Sequence, residues 1–218
     1  AQDASLGALP RVLDERLKLE LFAEHPMLVT PTGIDVDHLG RVWVLESNTH
    51  FPPDGYAGHP SDRLLVLQDT DADGKADKTT VFADGFKFAM SVAVQPVWLG
   101  SRESRDESQE PERKKDDAPS GSRLLTLDSR PTVFVATRGE IVRLRDTNND
   151  LVADERTQLV HLETAGNYPH NGLAGIAFDA LGWMYFGFGE NLGADYKIIG
   201  SDGVTLSCGG EGGNMYRC

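Results

Sequence analysis

Thr32-Gly33-Ile34-Asp35-Val36-Asp37-His38-Leu39-Gly40-Arg41-Val42-Trp43-Val44-Leu45 is the stretch that decides the fold. Two runs of alternating apolar and polar residues flank a short turn at residues 37–40, the signature of a β-hairpin. Gly40 suits the turn because it has no Cβ to oppose a positive φ, and Trp43 and Val44 begin the returning strand. The unit recurs 142 residues later as Gly175-Ile176-Ala177-Phe178-Asp179-Ala180-Leu181-Gly182-Trp183-Met184-Tyr185-Phe186, with Ile, Asp, Leu, Gly and an aromatic in register. Between the two, Thr132-Val133-Phe134-Val135-Ala136-Thr137, Gly139 and Ile141-Val142-Arg143-Leu144 read as later strands of another copy. About three repeats of one supersecondary unit are expected.

A second feature repeats with them. Arg63-Leu64-Leu65-Val66-Leu67-Gln68 runs into Asp69-Thr70-Asp71-Ala72-Asp73-Gly74-Lys75-Ala76-Asp77. Glu140-Ile141-Val142-Arg143-Leu144-Arg145 runs into Asp146-Thr147-Asn148-Asn149-Asp150-Leu151-Val152-Ala153-Asp154, 77 residues later. Strand, acidic loop, strand is thus written twice. Units of about 70 residues with some four strands each fit propeller blades lengthened by loop insertions. The expectation is an all-β chain: a lead-in at residues 1–20, then a partial β-propeller of about three blades over residues 21–218, the N-terminal half of a six-bladed ring. Residues 101–119 mix charge signs and lack large apolar side chains, so a disordered charged insertion is expected at about residues 100–122. Three blades do not close a ring of four to eight; the missing blades of the same chain, or a partner, must cover the open edges.

The 218 residues are 39% hydrophobic, enough for a sizeable core, and no run approaches the roughly 18 apolar residues of a membrane span. The formal net charge of −13 is spread along the chain, which argues against nucleic acid and for cation binding. Cys208 and Cys218 form no CxxC or CxxCH motif, so neither a zinc ribbon nor a c-type haem site is present in this sequence. A local disulfide between them is one of two open alternatives. Ala1-Gln2-Asp3-Ala4-Ser5 looks like a mature terminus after signal removal, so a periplasmic or secreted location is expected.

Residues 69–77 follow D-x-D-x-D-G-x-x-D, which brings carboxylates at alternate positions towards one hard cation while Gly74 permits the sharp turn. Calcium is the natural occupant, with Asp69, Asp71, Asp73 and Asp77 as ligands; a solvated acidic turn is the plainer reading. An EF-hand is excluded by Thr80 at the twelfth position and by strand-like flanks. Asp146, Asn148, Asp150 and Asp154 form a weaker second set, because Leu151 stands where the first loop has Gly74. Either ion would be structural, since both loops are hairpin tips. In Asn167-Tyr168-Pro169-His170-Asn171-Gly172, His170 precedes an inner strand and is the best candidate base, though a lone histidine beside a proline is more often a packed loop residue. Asn171 would orient a ligand or coordinate a metal. Glu190, in Gly187-Phe188-Gly189-Glu190-Asn191-Leu192-Gly193, and Glu46, with Asn48 and His50 nearby, follow returning strands in comparable positions.

The His170-Asn171-Gly172-Leu173 segment, with residues 178–185 and Gly187-Phe188-Gly189-Glu190, resembles the base-bearing segment of soluble PQQ-dependent glucose and sorbosone dehydrogenases, which are six-bladed propellers. Trp43-Val44-Leu45-Glu46, Pro60-Ser61-Asp62-Arg63, the first acidic loop and Val81-Phe82-Ala83-Asp84-Gly85 resemble exported bacterial proteins identified as membrane-bound dehydrogenases, which often carry haem-binding modules. The resemblance spans about residues 20–218. It implies oxidation of a carbohydrate or other alcohol, PQQ as cofactor, His170 as the base with Glu190 as its supporting carboxylate, and haem in an appended domain. Two other functions fit the residues: a calcium-dependent lactonase-like hydrolase using Glu46 and Asn171 as ligands, and a non-catalytic calcium-stabilised binding propeller.

Overall fold

The computed structural model describes residues 12–99, 130–167, 172–210 and 212–218. The expected charged insertion lies outside the described residues. Among the described residues thirteen strands run in this order: β1 (Pro31–Val36), β2 (Val42–Glu46), β3 (Asp62–Gln68), β4 (Lys78–Phe86), β5 (Ala89–Val94), β6 (Thr132–Thr137) and β7 (Glu140–Arg145), followed by β8 (Glu155–Thr164), β9 (Leu173–Phe178), β10 (Met184–Phe188), β11 (Tyr196–Gly200), β12 (Thr205–Cys208) and β13 (Asn214–Arg217). The chain is all-β, and its sheets are antiparallel meanders in the order of propeller blades. The first blade is β1-β2-β3-β4, the second is β5-β6-β7-β8, and the third is β9-β10-β13.

The innermost strands stand side by side, β1 next to β5 and β5 next to β9. Side chains stitch this inner row: Thr32 Oγ1 donates to Ala89 O at 3.2 Å, Val94 N to Asp35 Oδ2 at 2.7 Å, and Ile176 N to Ser91 Oγ at 3.2 Å. Gly33 suits this close approach, since a Cβ would make tight contacts of 3.2 Å with Val92 N and 3.3 Å with Ser91 Cα. The arrangement is a partial β-propeller.

Stacking explains the sequence pattern. The middle strands of the first two blades are covered on both faces, so strands such as Val42–Glu46 and Thr132–Thr137 bury residues of both parities in place of a simple alternation. Trp43, Leu45, Leu64, Val66, Phe82 and Phe86 of the first blade pack against Val133, Val135, Val142 and Leu144 of the second, with Trp43 and Phe82 edge to face at 4.7 Å. Phe134, Ile141 and Leu162 meet Leu173, Met184, Phe186 and Phe188 in the next interface. Full burial of such side chains contributes about 1.5–3 kcal/mol each.

The 142-residue repeat is geometric as well as sequential. Asp37 N donates to Arg41 O at 3.1 Å and Gly40 N to Asp37 O at 3.0 Å; Asp179 N donates to Trp183 O and Gly182 N to Asp179 O, both at 3.1 Å. Trp43 Nε1 donates to Asp37 Oδ2 at 2.9 Å, and Tyr185 Oη to Asp179 Oδ2 at 3.1 Å. Both aspartates hold the turn and clamp the aromatic residue of the returning strand. Burial opposes the charge of each. Hydrogen bonds from Trp43 and Arg41, and from Trp183, Leu181 and Tyr185, outweigh it and hold both carboxyls below the ordinary value.

Three features were not legible beforehand. The strand Ala89–Val94 is the innermost of the second blade, so the stretch at residues 95–131 replaces the tight turn used by the other two blades. The hairpin β11-β12 leaves its own blade and pairs with β8, making the second sheet six-stranded. Residues 214–217 form the third strand of the third blade, paired with β10.

Candidate functional site

Antiparallel order fixes which loops share an end of the arc. The β2–β3, β4–β5, β6–β7, β8–β9 and β10–β11 connections lie at one end, here the upper one. The β1–β2, β3–β4, β7–β8 and β9–β10 connections lie at the lower end. The acidic loops therefore stand at the opposite end from the segments that bear Glu46 and Glu190.

The two acidic loops have one conformation. In the first, Asp69 Oδ1 accepts Asp73 N at 3.2 Å, its Oδ2 accepts Gly74 N at 2.8 Å, and Asp73 Oδ1 accepts Lys75 N at 2.8 Å. In the second, Asp146 Oδ1 accepts Asp150 N at 3.2 Å, its Oδ2 accepts Leu151 N at 2.8 Å, and Asp150 Oδ1 accepts Val152 N at 2.8 Å. Ala72 and Asn149 both take positive φ, 63° and 65°, and Gly74 and Leu151 follow at 90° and 64°. Leucine thus occupies the left-handed site that seemed to require glycine. The Asp146 carboxylate, 1% exposed and bonded to three successive N–H groups, supports that local strain.

Ligand oxygens of Asp69, Asp71 and Asp73 lie within 4.8 Å of one another. An all-carboxylate donor set at this spacing fits a hard divalent cation. The Gly74 N–H leads a set of backbone donors that holds the Asp69 carboxyl below its ordinary value, so it is charged at neutral pH. Asp77 is engaged elsewhere: it accepts Thr70 N at 3.1 Å and Thr70 Oγ1 at 2.6 Å, and Asp154 accepts the same groups of Thr147. These two residues latch their loops closed.

His170 and Asn171 lie outside the described residues. Glu190 is exposed just after β10, and Gly189 N donates to Gly172 O at 3.1 Å. That bond fastens the Glu190 segment to the connection that carries His170 in sequence. Glu46 is 1% exposed and fully engaged, accepting Val29 N at 2.8 Å, Arg63 Nε at 2.7 Å and Arg63 Nη2 at 2.6 Å. Asn48 Nδ2 donates to it at 3.3 Å, and Tyr56 Oη donates to Asn48 Oδ1 at 2.6 Å. This cluster closes the upper end of the first blade. Asp62, also buried, accepts Asn48 N, Thr49 N, Thr49 Oγ1 and Ala89 N at 2.6–2.9 Å.

Sequence reasoning missed Arg138. Its N–H donates to Phe88 O at 2.9 Å and its carbonyl accepts Leu173 N at 3.2 Å. Its guanidinium reaches Gly166 O and Asn167 Oδ1 and lies 5.9 Å from the Phe88 ring centroid. A Cβ on Gly172 would lie 2.8 Å from Arg138 Cα, so glycine permits this approach. Arg138 joins the connections of all three blades at the upper end. A two-residue turn in the sequence carries no sign of that role.

Cys208 and Cys218 are both free. Cys208 ends β12 at the upper end, whereas Cys218 follows β13 at the lower end and exchanges backbone hydrogen bonds with Met184. Among the described residues no helix is long and apolar enough to cross a membrane.

The family model described as a domain of unknown function (DUF7133) matches residues 5–97, which cover the lead-in, the first blade and the first strand of the second. No curated protein sequence matches the chain. Among solved structures, the holo form of the pyranose dehydrogenase PQQ domain from Coprinopsis cinerea is similar, at 14% identity and a TM-score of 0.47, over 80% of this chain and 34% of that one. The chain spans about a third of that structure's length.

Proposed function

We propose that the chain is the N-terminal half of an exported, extracytoplasmic six-bladed propeller of the PQQ-dependent sugar or alcohol dehydrogenase type, with calcium bracing its lower hairpins. The hydrogen bond from Gly189 to Gly172 carries this reading. It ties the Glu190 segment to the His170 connection at the end of the arc away from the acidic loops, and it agrees with the order of motifs in the sequence. In this reading His170 takes the proton of a substrate hydroxyl while the hydride leaves the same carbon, and Glu190 is its supporting carboxylate. PQQ, when bound, supplies the two-electron acceptor; a haem in an appended domain would relay electrons onward.

Calcium would be held by Asp69, Asp71 and Asp73, with the second loop as a weaker site through Asp146, Asn148 and Asp150. Both ions would be structural. The hydrolase alternative is disfavoured because Glu46 is buried and neutralised by Arg63. The non-catalytic binding propeller is the outcome left if no turnover is found.

The deciding experiment reconstitutes the full-length protein with PQQ and Ca²⁺ and follows dye reduction over a panel of sugars and alcohols. Loss of a general base lowers turnover by about 10²–10⁴-fold, so His170→Ala is expected to fall by that factor, and Glu190→Gln by less. Equal rates in wild type and His170→Ala would reject the dehydrogenase assignment.

A further inference from the structure

Four of the upper connections meet in a strip of rings that ends on an arginine. Phe88 leads directly into the innermost strand β5. The His50 ring meets Phe51 at 4.8 Å and Phe88 at 6.4 Å, edge to face in both cases, and the Arg138 guanidinium lies 5.9 Å from the Phe88 centroid. The strip thus runs from the β2–β3 connection through β4–β5 to the β6–β7 turn. Arg138 Nη2 carries it on to the β8–β9 connection, donating to Gly166 O at 3.3 Å and Asn167 Oδ1 at 3.0 Å.

Two of these rings stand on a backbone that bulky side chains avoid. Phe51 has φ 48° and Phe88 φ 53°, in the left-handed region where such residues are strained. Phe88 is held there from both sides. Its N–H donates to Thr49 Oγ1 at 2.8 Å, and its carbonyl accepts Arg138 N at 2.9 Å. Thr49 Oγ1 donates in turn to the buried Asp62 at 2.9 Å. Strain that the surroundings enforce gathers at ligand clamps. Packing does not account for the Phe51 ring, which is 68% exposed.

Charge gives the strip a direction. Arg63, also at the upper end, is neutralised by Glu46. The whole chain carries a net charge of −13, yet among the described residues no carboxylate lies within 4.0 Å of Arg138. Its Nη2 serves Gly166 and Asn167, so Nε and Nη1 keep N–H donors that no described residue accepts. An open guanidinium fork matches a carboxylate in two parallel bonds. Aromatic walls with a few placed polar groups are the usual lining of a small-molecule site.

We propose that this strip binds a saccharide that carries a carboxylate, a uronic acid, with the acid group on Arg138 and the sugar against His50 and Phe51. The inference rests on the reading of the upper end as the substrate end of a sugar or alcohol dehydrogenase, and it narrows that substrate to acidic sugars. Arg138 is then the residue that sets specificity, and the two rings supply affinity for any sugar.

Calorimetry on the full-length protein without an electron acceptor tests the site apart from turnover. The probes are the disaccharide glucuronosyl-glucose and its neutral counterpart glucosyl-glucose, alike except for one carboxylate. The acidic probe should bind about tenfold or more tighter, the factor expected of a hydrogen bond to a charged group. Arg138→Gln, which still donates to Gly166 and Asn167, should erase that preference and leave the neutral probe's affinity unchanged; Arg138→Lys should restore part of it. Phe51→Ala, an exposed change, should weaken both probes equally, by about fivefold. Equal affinity of the two probes for the wild type, or a preference that survives Arg138→Gln, overturns the proposal. PQQ is also a carboxylate-bearing ring; if it binds through Arg138 and displaces the acidic probe, the fork belongs to the cofactor and the proposal is overturned. Turnover of neutral sugars with no preference in binding would reject this inference alone, whereas acid-selective binding with no turnover of any substrate would reject the dehydrogenase reading alone.

Discussion

Removing the Asp37 carboxylate tests the clamp at the base of the first blade. In Asp37→Ala the indole N–H of Trp43, fully buried, loses its acceptor at 2.9 Å, a loss of about 1–3 kcal/mol for an unsatisfied buried donor. Arg41, whose side chain is 10% exposed, loses the carboxylate that it meets at 2.5 Å; losing a charge-assisted hydrogen bond costs about 1.5–3 kcal/mol. The two losses share one site and overlap, so the expected destabilisation is about 3–5 kcal/mol, a large part of the 5–15 kcal/mol typical of a domain. Urea unfolding followed by tryptophan fluorescence should show the midpoint falling by about 1–2 M, taking a slope of roughly 2–3 kcal/mol/M. The control is Asp179→Ala. It breaks the same turn geometry, but Tyr185 can turn its hydroxyl to water and no buried arginine loses a hydrogen bond, so the loss should be clearly smaller. A loss at Asp37 below about 1 kcal/mol, or equal to that at Asp179, would refute the argument that the buried clamp distinguishes the two turns.

The pH dependence of the same clamp follows from its sign. Both carboxyls are held below their ordinary value, so their stabilisation is present above about pH 4 and is lost as pH falls through the folded-state value; the stability gap between wild type and Asp37→Asn should narrow below pH 4 in urea titrations. Calcium should raise the unfolding temperature, and at about 100 times its dissociation constant the gain is roughly 2.7 kcal/mol per site; calorimetry should show Asp71→Ala losing one binding event, and unchanged binding would reject that loop as a site. Arg63→Met should destabilise by about 3–5 kcal/mol because Glu46 stays buried without its counter-charge, as measured by urea unfolding. Thiol titration in denaturant without reductant should find both Cys208 and Cys218 free; a disulfide would contradict their placement at opposite ends of the sheets.

The reach of sequence reasoning is clear at particular positions. The hairpins at Asp37 and Asp179 and the acidic loops were legible because their chemistry is local: a side-chain acceptor, a turn and an alternating strand lie within a dozen residues. Position 151 shows where local logic stops. Glycine seemed necessary there, yet Leu151 takes the same left-handed backbone because the buried Asp146 carboxylate holds three consecutive N–H groups. Ala89–Val94 escaped notice for a related reason. Its small residues give little hydrophobic signal, and smallness is what an inner strand requires where neighbouring backbones approach, as Gly33 and Ser91 do.

The amino-acid order alone determined that the chain is all-β, that its units repeat, and where carboxylates gather, since strand alternation and turn chemistry are written in neighbouring residues. Only the tertiary structure decided which edges meet. It sent β11-β12 to the second blade, buried Glu46 against Arg63, made Arg138 the joint of three connections, and laid Phe22 and Ala23 against Leu65, Leu67 and Ala76 of the first blade. Pairing of this kind depends on which apolar faces and open strand edges stack across tens of residues, and a one-dimensional pattern does not specify that choice.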